Sequence, residues 1–143
     1  MSADDAVQRA FRDVPTARLA SLDPDGWPHV APLWFVWCDD AIYISARMSG
    51  STWRNAERDP RAMLVIDRGR DWSELTGVQI AAEAELLQAE HPDVREAMSA
   101  WHEKYRSLYA GDGFERLAEA VPDLGFLRIE PERLRFWDHA RNR

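Results

Sequence analysis

An apolar run of ten residues, Pro28 to Trp37 (PHVAPLWFVW), constrains this chain more than any other stretch. It is rich in Val, Phe and Trp, the composition of a buried strand, and it falls far short of the ~20 residues a membrane helix needs. Its flanks read as strand and turn. Ala17 to Leu22 has strand character, and Asp23-Pro24-Asp25-Gly26 is a turn in which Pro presets φ and Gly is free to take φ > 0. After the run, Cys38-Asp39-Asp40 is a turn signal and Ile42-Tyr43-Ile44 resumes the strand pattern. Two successive hairpins follow from this order.

Next comes a polar loop. Ser45, Arg47, Ser49, Gly50, Ser51, Thr52, Arg54 and Asn55 bring hydroxyls and guanidiniums together. Ser51 or Thr52 is suited to cap a helix that holds Ala56 and Glu57 and stops before Pro60. A cationic loop feeding a helix start favours an anion, because free N–H groups and the helix dipole point there. A phosphate is therefore one reading of the loop. A plain strand-to-helix connection is the other, since helix-terminus geometry permits anions without requiring them.

Elsewhere, Ala3 to Asp13 carries Ala6, Val7, Ala10 and Phe11 at helical spacing, and Pro15 closes that helix. Ala62 to Asp67 reads as a strand, Arg68 to Gly77 as a polar loop, and Val78 to Gln88 as a long strand. In that last strand Val78, Ile80, Ala82, Ala84 and Leu86 alternate with Gln79, Glu83 and Glu85, as in a sheet with one wet face. Pro92 to Tyr109 is the clearest helix, with Val94, Met98, Trp101, Tyr105 and Leu108 on one stripe. A short helix over Glu115 to Val121, after the flexible Gly111-Asp112-Gly113 connection, and two final strands, Gly125 to Glu130 and Arg133 to Trp137, complete the chain. With six or seven antiparallel strands, few helices and no linker or repeat, residues 1–143 form one domain, a mainly β chain curled into a closed or nearly closed barrel. A barrel this small fills its interior with side chains, so a sizeable ligand must sit outside it.

Composition excludes several classes. A net charge of −7 and a pI near 5.1 argue against a nucleic-acid surface. The acidic start MSADDAVQRAF lacks a secretory hydrophobic region, no run suits a membrane, and the single cysteine, Cys38, excludes an intrachain disulfide or a multi-thiolate metal site. A cytoplasmic location is expected. His29, His91, His102 and His139 show no metal spacing, so no metal is expected. Glu83 and Glu85 share a strand face, where a solvated outer surface is the default. Trp101, Tyr105 and Tyr109 at helical spacing read as packing. There is no dinucleotide, P-loop or nucleophile-elbow motif.

The order PHVAPLWF, IYISAR, STWRN, ERDPRAMLVID resembles the pyridoxamine 5'-phosphate oxidase-like superfamily of flavin-binding split barrels, most of all its flavin- and deazaflavin-dependent oxidoreductase branch. The resemblance spans roughly Thr16 to Leu87, with a weaker echo in RIEPERLRFWD. It implies a split β-barrel of the FMN-binding type, a homodimer with cofactor at the subunit interface, and hydride transfer to or from a small-molecule substrate. By resemblance, Val30, Ala31, Pro32, Leu33 and Trp34 line the flat ring. Ser45, Ala46, Arg47, Ser51, Thr52, Trp53, Arg54 and Asn55 surround the ribityl-phosphate tail, and Trp72 and Trp137 reach in from the second subunit. One position departs from the pattern: Thr52 stands where the family usually carries a Lys. The deazaflavin coenzyme F-420 on the same fold, and a haem- or tetrapyrrole-binding protein without turnover, are the alternatives. No catalytic acid or base is assigned, because the cofactor carries the chemistry.

Overall fold

The computed structural model describes residues 3–109 and 123–142. Helix α1 (Ala3–Phe11) leads into strands β1 (Ala17–Leu22), β2 (Pro28–Leu33), β3 (Phe35–Cys38) and β4 (Ala41–Arg47). Helix α2 (Ser51–Arg58), β5 (Arg61–Arg68), β6 (Thr76–Leu87) and α3 (Val94–Leu108) follow, and β7 (Leu124–Ile129) and β8 (Arg133–Asp138) end the sheet. The short helix expected over Glu115 to Val121 and the Gly111-Asp112-Gly113 connection lie outside the described residues.

The sheet is antiparallel throughout, in the order β2-β1-β5-β6-β7-β4-β3. Twelve residues long, β6 pairs β5 along one edge and β8 and then β7 along the other. The strands curl into a half-barrel, a split-barrel fold. Its interior is filled with side chains such as Leu19, Ile42, Ile44, Leu64, Ile66, Ile80, Leu127 and Ile129, with Phe11 of α1 and Trp53 of α2 packed among them. Gly125 admits Trp53: a Cβ at that position would lie 2.6 Å from the indole. A second cluster lies outside the barrel, where α3 buries Val94, Ala97, Trp101 and Tyr105 against Val36, Tyr43 and Phe126.

The ten-residue run is two strands, not one, and this raises the strand number to eight among the described residues. The break falls at Trp34, whose ring stacks on Tyr105 of α3 with centroids 4.1 Å apart and planes 6° apart. Before it, β2 pairs only β1 and is a half-exposed edge; after it, β3 pairs β4 at the opposite end of the sheet order and is buried. Composition alone suggested burial throughout, but Pro28 and Pro32 have no N–H to give a second neighbour, which suits an edge.

Smaller differences have equally local causes. The N-cap of α2 is Gly50 rather than Ser51 or Thr52, and it makes no side-chain capping bond. On α3 the stripe narrows, with Leu108 exposed and Ala97 buried in its place. Both expected turns are present: Gly26 has φ +86°, and Asp39 takes the left-handed φ of 53° that short Asx residues tolerate.

Candidate functional site

Cross-strand partners in an antiparallel ladder share a face. On the outer face, register places Val30 opposite Ala20, Ala20 opposite Met63, Met63 opposite Ala81, and Ala81 opposite Arg133. Small apolar side chains thus cross four strands, β2, β1, β5 and β6, in one row that ends in an arginine on β8. The neighbouring row runs Pro32, Arg18, Val65, Gln79 and Arg135. Val30 is 62% exposed, and Trp27, in the turn that leads into β2, is 72% exposed.

Two depressions lie on this face. One, of about 410 Å³, has Ala20, Met63 and Ala81 on its floor and Arg61, Glu83 and Arg133 at its rim. The other, of about 310 Å³, is lined by Val65, Gln79, Arg135, Trp137 and His139. Trp137 lies across Gly77, where any Cβ would meet the indole ring. His139 packs on Trp72 with ring centroids 4.4 Å apart, and its Nδ1 lies 2.9 Å from the Trp72 carbonyl oxygen. A carbonyl only accepts, so Nδ1 carries the proton of this contact. His139 opens the terminal 3-10 turn, His139–Asn142.

The polar loop divides into inward and outward residues. Thr52, Trp53 and Asn55 are buried, while Ser51 and Arg54 are exposed on the other side of α2. Asn55 donates to Ser21 Oγ (3.1 Å) and Asp23 Oδ1 (3.0 Å) and accepts from Arg58 (2.7 Å); Arg58 also donates to the Leu22 carbonyl (2.7 Å). These bonds tie α2 to Ser21 and Leu22, which themselves line the larger depression. Arg47 is exposed and pairs with Asp123 at 3.5 Å. The Ser49 hydroxyl donates to the same carboxylate at 2.5 Å and, with Arg47, holds it below the usual carboxylate range.

The ring-lining candidates also divide. Val30 and Pro32 point to the outer face, whereas Leu33 packs toward the barrel interior and Trp34 is taken up by the stack under α3. Ser45 is buried, accepting from Trp101 Nε1 (3.2 Å) and donating to the Trp34 carbonyl (3.3 Å), and Ala46 is core. Trp72 and Trp137 stand at one end of the outer face. Sequence reading missed Ala20, Met63, Ala81, Arg61 and Arg133. Ala20, Met63 and Ala81 lie on the wet parity of β1, β5 and β6, a signal present in the sequence, but only the strand register aligns them with one another and with Arg133 of β8.

Away from this face, Cys38, Asp39 and Glu96 can present a thiol and two carboxylates within 4.8 Å of one another. Burial raises the Cys38 pKa, which keeps the thiol protonated and a poor metal ligand. Glu83 rims the depression, and Glu85 on the same strand faces Arg128 at 3.6 Å. No described helix is long and apolar enough to cross a membrane.

A family model described as pyridoxamine 5'-phosphate oxidase matches residues 3–138. Among solved structures, the conserved hypothetical protein Rv2991 from Mycobacterium tuberculosis is similar with 26% identity and a TM-score of 0.77, over 97% of this chain and 86% of that one. HutZ, the haem storage protein from Vibrio cholerae, aligns at 17% identity and TM-score 0.74, covering 94% of both chains. A haem binding protein from Mycobacterium smegmatis aligns at 18% identity and TM-score 0.72, over 96% of this chain and 55% of that one. A search of curated proteins finds no match.

Proposed function

From the premise that this chain belongs to the pyridoxamine 5'-phosphate oxidase family, we propose that it is a flavin-dependent oxidoreductase. FMN is its cofactor, held on the outer face of the half-barrel. The observation that carries this reading is the open row Val30, Ala20, Met63 and Ala81, flanked by Arg61 and Arg133. A flat aromatic ring needs a flat apolar floor, which alanines and a methionine supply, and an anionic tail needs fixed cations. When bound, the flavin supplies hydride transfer to or from a small-molecule substrate.

The chain's own residues bind, orient and exclude water. The row shields one ring face from solvent. The buried Thr52 lacks the ammonium usual at its position, so the phosphate grip passes to arginines, with Arg54 and the Ser51 hydroxyl the exposed candidates nearest it in sequence. A guanidinium can replace an ammonium at a phosphate because it donates in a fork. A second copy of the chain covers the exposed Val30 and Trp27, and Trp72 and Trp137 extend toward it. An obligate interface of this kind buries about 2,000 Å² or more. The reaction proceeds in the cytoplasm, with neither nucleic acid nor membrane as a partner.

The coenzyme F-420 could occupy the same row with its longer acidic tail outside. A haem-binding protein is the second reading. It is favoured by His139 lining the smaller depression and by the haem storage and haem binding proteins among the similar structures. The visible spectrum of the purified protein separates the three. A flavin spectrum with FMN released on denaturation supports the proposal. A Soret band that His139→Ala abolishes overturns it in favour of haem. Light scattering that gives a 16.5 kDa particle overturns the dimer.

A further inference from the structure

The smaller depression, of about 310 Å³, has a chemistry distinct from that of the apolar row beside it. Alternate residues of a strand share a face, so Arg135 and Trp137 of β8 stand on the outer face opposite Gln79 and Gly77 of β6. Val65, Gln79 and Arg135 are successive cross-strand partners, which sets an apolar patch, an amide and a guanidinium side by side. Trp137 adds a flat wall whose place is fixed. Its indole lies on Gly77, where a Cβ would come within 2.3 Å of the ring, so only glycine admits it there.

Arg135 differs from other arginines of the same face. Arg18 is paired with Asp67 at 2.5 Å, and Arg61 with Asp59 at 2.7 Å. Arg135 has no carboxylate partner among the described residues, and the half-buried Gln79 amide has no hydrogen bond among them. A guanidinium donates in a fork to a carboxylate, an amide N–H can add a further donor, and an aromatic ring stacks on indole. A cavity at the small end of ligand pockets suits a single-ring acid rather than a whole flavin nucleotide.

We propose that this depression binds an aromatic carboxylate, with its ring on Trp137 and its carboxylate on the Arg135 fork and the Gln79 amide. Such an acid is the substrate class of the oxidoreductase proposed above, an assignment that rests on the flavin reading. The two sites adjoin: Val65 and Gln79 lie two residues along their strands from Met63 and Ala81 of the row, a step of about 7 Å.

The test titrates the full chain with benzoate, followed by ligand-detected NMR. Benzamide keeps the ring and loses the charge; cyclohexanecarboxylate keeps the charge and loses the flat ring. Benzoate should bind roughly tenfold or more tightly than benzamide, and Arg135→Gln should remove that advantage. Trp137→Leu should weaken benzoate roughly two- to tenfold and leave cyclohexanecarboxylate nearly unchanged. Benzoate should still bind with FMN at saturation, and a cooperative urea transition shows that each variant is folded. Equal affinities for benzoate and benzamide, an unchanged benzoate affinity in Arg135→Gln, or displacement of benzoate by FMN overturns the site. A protein without flavin that binds benzoate through Arg135 overturns the flavin reading and keeps the site. A flavoprotein in which Arg135→Gln changes nothing does the reverse.

Discussion

Outside the barrel, the half made by β3, β4 and β7 lies under α3, whereas the half made by β2, β1, β5, β6 and β8 meets α2 through β1 and β6 and leaves the row of Val30, Ala20, Met63 and Ala81 open. The covered half uses large aromatic groups, of which Trp101 and Tyr105 find hydrogen-bond partners inside the protein. Tyr105 is fully buried; its hydroxyl accepts from the Phe35 N–H (2.7 Å) and lies within donating distance of the Pro15 and Phe35 carbonyls (2.8 and 3.0 Å). Burial raises its pKa, so it stays a neutral phenol. The open half uses small apolar groups and leaves its arginines at the rim. Its apolar row is therefore free to receive something that is not part of the same chain.

The largest effect should come from the covered half. Trp101 is 4% exposed, meets the rings of Trp34, Tyr105 and Phe126, and donates to Ser45. Trp101→Ala should cost about 3–5 kcal/mol of folding stability, as large-to-small core changes do. Urea denaturation reads it directly. A loss below about 1 kcal/mol would mean that α3 is not bound to the sheet as described, and the contrast between the halves would fail.

This division was only partly legible in the sequence. Periodicity placed Trp101 and Tyr105 on one stripe because a helix buries residues three and four apart, a local rule. Both hairpins were legible because Pro24-Asp25-Gly26 and Asp39-Asp40 fix turn chemistry over a few residues. The row of Val30, Ala20, Met63 and Ala81 was not. Those residues lie in four strands, and only their register, a long-range property, brings them side by side. Trp34 shows the same limit from the other side. Its neighbours in sequence look like ring-lining residues, but its ring is held by Tyr105, seventy-one positions along the chain. Asn55 lies in a loop rich in anion-binding residue types, yet its amide pins α2 to Ser21 and Asp23.

At the start of α2, Arg54→Ala should leave folding unchanged and weaken FMN by roughly 1.5–3 kcal/mol, the range for hydrogen bonds to charged groups. That corresponds to about a ten- to hundredfold rise in the dissociation constant. Riboflavin, which lacks the phosphate, should lose almost nothing, so parallel titrations isolate the contact. An equal loss for both ligands would remove α2 from the phosphate site and leave the grip to Arg61 and Arg133.

Lys104 of α3, whose ε-amine donates to the Phe35 carbonyl at 2.8 Å, separates the halves by pH. Burial lowers its folded pKa to about 7, below the unfolded value near 10.4. Between the two the unfolded chain binds more protons, so this group makes stability rise with pH, and its full penalty is present below about pH 7. Lys104→Met should therefore be more stable than the parent at neutral pH, with the gap closing as pH approaches about 10. Parallel urea midpoints across that range check the sign. A gap that widens with pH would show that the amine is charged in the folded state.

The smallest expected effect is the sharpest test of the contrast, because it applies one substitution to both halves. Val36 lies on the covered half at 6% exposure, and Val30 lies on the open half at 62%. Val36→Ser removes buried methyl groups and places a hydroxyl against the apolar underside of α3. It should cost about 2 kcal/mol or more. Val30→Ser removes methyl groups that are already in water in the single chain, so its intrinsic cost should stay within about 0.5 kcal/mol. If a second copy or a cofactor rests on the row, Val30→Ser should instead act through that association. The destabilisation would then grow with protein or ligand concentration, while that of Val36→Ser would not. Equal, concentration-independent losses at the two positions would mean that β2 is covered by the chain itself, and the open row could not be the site.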